Sequence, residues 1–396
     1  MQVVRTLQRT GKAAYTFPVF LVAHFTHHLA TAAAVPLLPM IRDSFQLDYF
    51  RAGLLLSAFS VAYGLGQLPM AAISDRISKR LVLALGLLGA GIACIGVSIA
   101  SDYLYLMLAL LLMGIAGSTY HAPASAFISQ AFSREARGRF LGLHLFGGTS
   151  GLMAAPLVAV FVSNITGSWR TAFFIMGLPV LVSGVLLWLV SGRQEAANRK
   201  AIALEESEPV HLMRLLKALG ALVIVALLTQ LLVSGMNSFL PLFMVDHHGM
   251  SEKVAGLIMA VVYGAGALAG PIGGSISDRV GRKPIILISV VGAGPMIFLA
   301  TMLPFGVAMV VAIALYGAFQ VFRLPAIESL IADEIPASRR ATVLGGYNLL
   351  AQQATGIATP LFGWLMDQSG INAGFGLLSA TALGSSLLVL ALWRRI

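Results

Sequence analysis

Long apolar segments recur along the whole chain and restrict its fold more than any other feature. We place twelve of them, at residues 17–41, 50–74, 80–100, 103–131, 138–163, 169–191, 217–246, 252–276, 283–303, 305–333, 340–367 and 371–393. A helix that crosses a bilayer needs about 20 predominantly apolar residues, and each segment supplies them. We therefore predict an all-α membrane protein with 12 transmembrane helices.

The composition supports this prediction and excludes other classes of protein. Hydrophobic residues make up 58% of the chain and charged residues 11%, against about 25% charged residues in a soluble domain. A disordered chain is excluded for the same reason. The net charge of +10 does not predict nucleic-acid binding, because the basic residues lie at segment ends rather than along one face. One cysteine, Cys94, excludes a disulfide framework.

The basic residues also predict the orientation of the chain. Of the 26 Lys and Arg residues, 21 lie in loops on the side of the two termini. The opposite side has Arg42, Arg51, Arg170 and Lys253, and Arg323 lies inside the tenth segment. Cytoplasmic loops carry an excess of Lys and Arg. We therefore expect a multi-pass protein of the cell membrane with both termini in the cytoplasm.

The second half of the sequence repeats features of the first. The interval is 202–203 residues for Asp75-Arg76 and Asp278-Arg279, Pro39 and Pro241, Pro123 and Pro325, and Gly142 and Gly345. Residues 192–216 form a polar stretch between the halves. We predict a six-helix bundle at 1–191, a cytoplasmic linker at 192–216 and a second six-helix bundle at 217–396. Two parallel repeats of six spans are one plan of secondary transporters, with the substrate site between them near the mid-membrane.

A loop motif after the eighth segment predicts a gate. It has the spacing G-x-x-x-D-R-x-G-R-K and includes Gly274, Asp278, Arg279, Arg282 and Lys283. The first half has a degraded copy around Asp75 and Arg76, with Ala71 and Ser78 in place of two glycines. An Asp at a helix end can pair with an Arg of a neighbouring loop, here Arg137 or Arg339, and the bond is weak where it is wet. The alternative is ordinary positive-inside charge without a gating role.

Few ionisable residues lie inside the segments, and these are functional candidates because burying a charge in lipid costs about 2.5–3.5 kcal/mol even on an insertion scale. Arg323 and Glu328 lie in the tenth segment, about 140° apart around a helix, and are poor partners for each other. His121 in the fourth segment is the equivalent of Arg323 under the repeat. The other intramembrane histidines are His24, His27 and His28 in the first segment and His144 in the fifth.

We interpret this set as a binding site for an organic anion held by Arg323. Protonation of the histidines near pH 6.5 can couple to binding, so we assign proton coupling to Glu328, His28 and His144. The residues that we expect to bind the substrate are Arg323, His121, His24, His27, His28, Gln67, Asn237, Gln320 and Gln353. The alternative is structural: Arg323 and Glu328 form interhelical pairs, the histidines donate to backbone carbonyls, and the amides join helices.

The spacing of residues in the sequence argues against a nucleotide site, a metal site and a catalytic site. The chain has no Gly-x4-Gly-Lys-Ser/Thr motif, so an ATP site is not expected. No carboxylate or cysteine at ligand spacing accompanies the three histidines of the first segment, so we expect no metal and no cofactor. No nucleophile and base are paired either, and we do not expect an enzyme.

Two motifs resemble those of the major facilitator superfamily. The loop motif resembles the superfamily's loop signature. The fifth segment, Gly142-x8-Gly151-x3-Ala155-Pro156-x2-Ala159, resembles its antiporter motif with Ala at two Gly positions. We expect Gly142, Gly151 and Pro156 to support close helix packing and a bend; the alternative is generic small-residue packing. The fourth segment departs from the family, since Leu110 stands where many members have an Arg linked to proton transfer.

More narrowly, the chain is similar to the fosmidomycin-resistance branch of efflux proteins. The residues that carry this resemblance are Ala23-His24-Phe25, the stretch from Gly117 to Pro123, and the stretch from Gly147 to Gly151. It implies the superfamily fold, efflux of small compounds and a monomer. We expect a secondary active transporter that moves a small organic anion by alternating access, with proton-coupled efflux. The alternatives are an uptake symporter or facilitator, a multidrug cation exporter and, remotely, a membrane sensor.

The gate predicts the effect of one substitution. Asp278→Asn should slow the transport cycle and leave substrate binding unchanged, because it removes the charge that pairs during closure and touches no substrate. Transport into proteoliposomes and ligand-induced thermal stabilisation measure the two effects separately. An equal loss of binding would show that Asp278 only holds the structure together.

Overall fold

The structure, a computed structural model, describes residues 2–132, 134–202, 230–327 and 340–392. Within these ranges it is almost entirely α-helical, and no strand is assigned there. The helices are α1 (Gln2–Thr31), α2 (Leu38–Phe45), α3 (Tyr49–Arg76), α4 (Lys79–Ser98), α5 (Tyr103–Gly117), α6 (His121–Ala131), α7 (Arg134–Thr166), α8 (Trp169–Ile202), α9 (230–246), α10 (Glu252–Val280), α11 (Arg282–Met302), α12 (Val307–Phe322), α13 (324–327), α14 (Arg340–Ser369) and α15 (Ile371–Leu392).

Nine stretches of the described chain are long and apolar enough to cross a membrane. They are Tyr49–Ser74, Lys79–Ser98, Tyr103–Ser129, Phe140–Thr166, Trp169–Gly192, Glu252–Val280, Arg282–Met302, Val307–Ile327 and Ile371–Ala391. The chain is therefore an all-α membrane protein. The total of 12 spans and the cytoplasmic position of both termini stay predictions.

Three predicted segments contain a short break between helices that the apolar pattern did not predict, although the breaks in the fourth and tenth still lie within the candidate spans Tyr103–Ser129 and Val307–Ile327. The first is interrupted between Thr31 and Leu38, the fourth between Gly117 and His121, and the tenth at Arg323. A proline follows each break within the first three residues of the next helix, namely Pro39, Pro123 and Pro325. Proline lacks an amide N–H and is tolerated in the first turn of a helix but not in its interior. Each break thus has a local cause.

The starts of the helices repeat along the chain. Helices α3 and α10 begin 203 residues apart, as do α4 and α11. Asp48 and Ser251 also lie 203 residues apart, and each caps its helix by accepting a hydrogen bond from the backbone N–H three residues on. The pairs of helices in contact repeat as well. In the first half α3 packs on α5 and α4 packs on α8, and in the second half α10 packs on α12 and α11 packs on α15.

The predicted linker is only partly described. Helix α8 continues to Ile202, past the predicted end of its segment at residue 191. The rest of the predicted linker, 203–216, lies outside the described residues. The boundaries of the two bundles, 1–191 and 217–396, therefore stay predictions.

Among the described residues, the most extensive contacts between the two halves are those of α3 with α14 and of α7 with α10. Hydrogen bonds cross the first pair: Ser57 Oγ donates to Gly356 O (2.6 Å) and Gln353 Nε2 donates to Val61 O (3.2 Å). The contact does not continue to the end that we predict to be cytoplasmic. A Cβ atom added at Gly142 of α7 or at Gly346 of α14 would meet no atom of the described chain within 4 Å.

Four residues close the other end, and we call them the outer network: Arg42, Tyr49, Asp246 and Asp367. The Arg42 guanidinium forms an ion pair with Asp246, which also accepts a hydrogen bond from the Tyr49 hydroxyl (2.7 Å). Asp367 of α14 accepts from the backbone N–H groups of Tyr49 and Phe50 (both 2.9 Å), so its carboxylate lies at the positive end of α3. The charged and hydrogen-bonded residues of the outer network thus join the halves at the predicted outer end.

The outer network predicts a conformational effect. Asp246→Asn removes the charge that Arg42 pairs with across the halves and should raise the population open to the outside by about fivefold or more, since 1 kcal/mol is already a factor of about five. The measurement is the labelling rate of a cysteine at Thr359, which is fully buried, by an impermeant thiol reagent in a Cys94→Ala background.

Asp43→Asn is the matched control for this variant. Asp43 also pairs with Arg42, but it lies on the same helix and does not bridge the halves. Its labelling rate should equal that of the parent protein. Equal rates for Asp246→Asn and its parent would contradict a role for the outer network in closure.

Candidate functional site

Five histidines come together inside the first half, and we call them the histidine cluster: His24, His27, His28, His121 and His144. They come from α1, α6 and α7. The ring of His24 stacks on that of His144 with centroids 4.1 Å apart, and lies 4.9 Å from His28 and 5.2 Å from His121. The rings of His28 and His121 are also 5.2 Å apart. The structure thus gathers all the intramembrane histidines that the sequence nominated.

Hydrogen bonds fix which nitrogen of two rings carries the proton. His24 Nδ1 lies 2.7 Å from the backbone oxygen of His144, and since a carbonyl only accepts, Nδ1 is the donor. In the neutral ring Nε2 then keeps a free lone pair. Tyr120 donates its hydroxyl proton to Phe20 O (2.9 Å), so His144 Nε2, 3.2 Å from the Tyr120 oxygen, donates to it.

The cluster has a buried side and an accessible side. His24, His27 and His144 are buried, and His27 Nε2 lies 3.3 Å from the Tyr63 hydroxyl. His28 and His121 are half-buried. As the helical spacing predicts, the three histidines of α1 are not equally placed.

Three of the histidines are arranged as the ligands of a metal ion would be. One ring nitrogen of each of His24, His28 and His121 lies within 4.8 Å of the other two. His24 Nε2 is buried and has no hydrogen-bond partner in the part of the chain that the structure describes. The sequence argued against a metal because no carboxylate or cysteine at ligand spacing accompanies the histidines of the first segment; the structure brings His121 beside them from 93 residues after His28.

Arg323 forms a second polar centre, in the other half. It is the C-cap of α12 and only 1% exposed. Its Nη2 donates to Gln230 Oε1 (3.2 Å), whereas Nε and Nη1 are buried without a partner among the described residues. Nearby on the same helices, Asn237 Nδ2 donates to Gln320 Oε1 (2.9 Å), and Tyr316 donates to Asn237 Oδ1 (2.8 Å). The predicted amides Asn237 and Gln320 therefore bond to each other.

The other nominated residues are placed as follows. Gln67 is buried in α3, and Gln353 donates to a backbone carbonyl across the halves, as described above. Glu328 and Arg339 lie outside the described residues, as do the side chains of Asp75, Arg76 and Arg137. Their predicted roles in proton coupling and gating stay predictions.

The loop motif forms a sharp turn between α10 and α11. Gly281 has φ +98°, a conformation that side chains other than glycine rarely adopt. Asp278 forms an ion pair with Arg282, the basic residue of its own motif, within the described chain, rather than with a distant loop. Arg282 also donates to Ser277 Oγ (2.9 Å). In the first half Ser78 replaces the glycine because the turn differs: Ser78 has φ −70° and caps α4 through Leu81 N–H.

The antiporter-like stretch of α7 packs as predicted at one end only. A Cβ at Gly151 would lie 2.2 Å from Phe25 O, so the glycine lets α7 approach α1 closely. Ala155 and Ala159 are fully buried, and Pro156 lies inside the helix. Gly142, in contrast, meets nothing within 4 Å in the described chain. Close packing is therefore described at Gly151, whereas a packing role for Gly142 stays a prediction.

Several residues of these centres were not predicted from the sequence. Tyr120 and Tyr63 lie among the histidines, Gln230 pairs with Arg323, and Arg42 and Asp246 join the halves. One signal was available: Arg42 and Asp246 lie 204 residues apart, close to the repeat interval. The two tyrosines look like ordinary apolar positions, since only their hydroxyl groups distinguish them from Phe.

Comparisons with known proteins give a consistent result. The family model described as Major Facilitator Superfamily matches residues 20–254 and 222–396. The fosmidomycin resistance protein of Escherichia coli is 22% identical over 277 residues, which are 69% of this chain and 68% of that protein. The uncharacterized MFS-type transporter YwfA of Bacillus subtilis is 26% identical over 394 residues, or 96% and 94% of the two chains.

A solved structure shares the fold. The crystal structure of a bacterial homolog of the human lysosomal transporter Spinster, inward-facing and unoccupied, superposes with a TM-score of 0.77. The match covers 96% of this chain and 95% of the other at 16% sequence identity.

The hydrogen bonds of Tyr120 predict a loss of stability. Tyr120→Phe leaves His144 Nε2 without its acceptor inside the first half, and the free energy of unfolding should fall by about 1–3 kcal/mol. Thermal unfolding in detergent measures the change. Tyr105→Phe, at an exposed tyrosine, is the control and should shift it by about 0.5 kcal/mol or less. An unchanged melting temperature for Tyr120→Phe would contradict the assigned hydrogen bonds.

Proposed function

The chain belongs to the major facilitator superfamily, and from this premise we propose that it exports a small organic anion by alternating access. The superfamily resemblance predicted from the two motifs is confirmed by the family match. Membership makes the protein a multi-pass transporter of the plasma membrane and not an enzyme. The substrate, the direction and the coupling are the parts that we propose.

The proposal of an anionic substrate rests on the environment of Arg323. A guanidinium that is 1% exposed keeps two nitrogens unpaired within the described chain. A buried charge without partners is strongly destabilising, and Arg stays protonated under all physiological conditions. The N–H groups at Nε and Nη1 are therefore donors that await acceptors. A carboxylate or phosphonate supplies both the opposite charge and the acceptor oxygens.

The neighbours of Arg323 support a ligand rather than a structural pair. Gln230 satisfies only one nitrogen, and the adjacent amides of Asn237 and Gln320 bond to each other. Arg323 also lies at the break between α12 and α13. Broken helices near the mid-membrane form the substrate sites of many secondary transporters.

Alternating access needs two bundles that move relative to each other. We propose that residues 1–191 and 217–396 are these bundles. The contacts between them include the outer network, which joins α2 and α3 to α9 and α14 at the predicted outer end. Release of this network on one side and closure on the other would expose the site alternately. A substrate drives this exchange only if its affinity for the two states differs.

The direction is supported by one relative. The protein of Escherichia coli is named for resistance to a compound, and export of the compound explains resistance. Proton coupling through Glu328, His28 and His144 stays a prediction, as does action as a monomer. Counterflow in proteoliposomes separates export from uptake, and net movement of substrate excludes a membrane sensor.

The anion site predicts a selective loss of binding. Arg323→Ala should abolish stabilisation by small organic anions and phosphonates, whereas the wild type gains about 2.7 kcal/mol at a ligand concentration of 100 Kd. Arg323→Lys keeps the charge without the fork of donors and should retain part of the response. Thermal shifts with a panel of anions and lipophilic cations measure the effect.

Arg170→Gln is the control for lost positive charge. Arg170 lies on α8 beside Trp169 and donates to Ala100 O (3.0 Å), away from Arg323. Its anion response should equal that of the wild type. Stabilisation by lipophilic cations alone, or an equal anion response in Arg323→Ala, would sink the proposal and favour a multidrug cation exporter.

A further inference from the structure

We propose that His24, His28 and His121, the metal triad, bind a divalent transition-metal ion of the Zn²⁺ type. The site shares no residue with the Arg323 centre, and it goes beyond the anion export proposed above. Its evidence is the position of three ring nitrogens, one unpaired lone pair and the exposure of two of the rings.

The distances suit one ion after a small adjustment. The ligand nitrogens lie within 4.8 Å of one another. With Zn–N distances of about 2.0–2.1 Å, two nitrogens of a tetrahedral site are about 3.4 Å apart. Rotation of the half-buried rings of His28 and His121 toward His24 would reduce this difference. His24 and His28 lie one helical turn apart on α1, and His121 faces them from the first residue of α6.

The orientation of His24 is that of a prepared ligand. Metal-binding histidines usually donate the N–H of the second ring nitrogen to a carbonyl or carboxylate, which fixes the ring and makes the other nitrogen a better ligand. His24 does this through Nδ1 and His144 O at 2.7 Å. Its Nε2 is then a buried lone pair with no hydrogen-bond partner in the described ranges. A buried acceptor left unpaired is unfavourable, and a metal ion would remove this cost.

Helix α7 packs closely against the ring of His24 at Gly148. A Cβ atom at Gly148 would lie 2.5 Å from both Cε1 and Nε2 of His24. The absence of a side chain at Gly148 is therefore what allows the ring to occupy this position. This contact offers a way to move the ligand without removing it.

The donor set defines the class of ion. Three neutral imidazoles suit Zn²⁺, Ni²⁺, Co²⁺ and Cu²⁺ and do not suit Mg²⁺ or Ca²⁺, which prefer oxygen ligands. Three protein ligands leave a fourth position for water or an anion, as in exchangeable zinc sites. His28 and His121 are half-buried, so the ion can enter from their side.

Cobalt binding to the purified wild-type protein, free of any polyhistidine tag, tests the site. Co²⁺ in a tetrahedral nitrogen site absorbs strongly in the visible range, and hydrated Co²⁺ does not. We expect one Co²⁺ per chain with the tetrahedral spectrum and displacement by Zn²⁺. Absence of stoichiometric binding, or the spectrum of the hydrated ion alone, would overturn the proposal without any variant.

Ligand variants locate the ion. His28→Gln and His121→Gln should each weaken Co²⁺ binding by about tenfold or more, as loss of even an outer-shell partner costs 10–100-fold. The control is the double variant His247→Gln/His248→Gln, which removes two neighbouring histidines outside the triad and should bind as the wild type does. The opposite result, with binding lost only in the control, would assign the ion to His247 and His248 and overturn the metal triad.

Two glycine variants on α7 test whether a loss of Co²⁺ binding comes from the displacement of His24 or from misfolding. Gly148→Ala should displace His24 and weaken binding, whereas Gly142→Ala on the same helix has open space around its Cβ and should not. Thermal unfolding identifies any variant that has lost its fold. Equal affinity in the two variants would contradict the role of His24. Arg323→Ala should bind cobalt normally, so this proposal and the anion site fail separately.

Discussion

The interactions that join the two halves at the predicted outer end constrain how the halves can move relative to each other. In lipid there is little hydrophobic driving force between helices, and close packing and hydrogen bonds hold them together. Here these interactions cross between α3 and α14 and are completed by charges at the predicted outer end. At Gly142 and Gly346, toward the predicted cytoplasmic end, an added Cβ atom would meet no atom of the described chain within 4 Å.

The polar centres themselves follow from the need to satisfy buried groups. Inside a bilayer a polar atom finds no water, so each must bond within the protein or bind a ligand. In the histidine cluster, one ring nitrogen each of His24, His27 and His144 lies within hydrogen-bond distance of a backbone or tyrosine oxygen. The two centres also contain buried atoms without a hydrogen-bond partner among the described residues, on His24 and His27 in the first half and on Arg323 in the second, and our two proposals start from His24 and Arg323. The structural alternative, donation to a backbone carbonyl, describes Nδ1 of His24, whereas His144 donates to the hydroxyl oxygen of Tyr120.

The sequence predicted those parts of the fold that depend on local pattern. Apolar length predicted the helices, and the interval between Asp75-Arg76 and Asp278-Arg279 predicted the repeat that the helix starts follow. The breaks were missed, although prolines marked them, because the apolar character continues across each break. Arg323 and the histidines could be nominated since charge in lipid is rare. Their partners could not, because Gln230 and Tyr120 reach them through tertiary packing alone.

The break before α6 has a mechanical consequence. His121 starts this helix directly after the interruption, and α6 extends for 11 residues beyond it, a length of about 16 Å at 1.5 Å per residue. A tilt of about 20° at the break would displace the far end of such a rod by about 5 Å. A small change of the backbone angle at His121 would therefore move the far end of α6 by several times the displacement at the break itself.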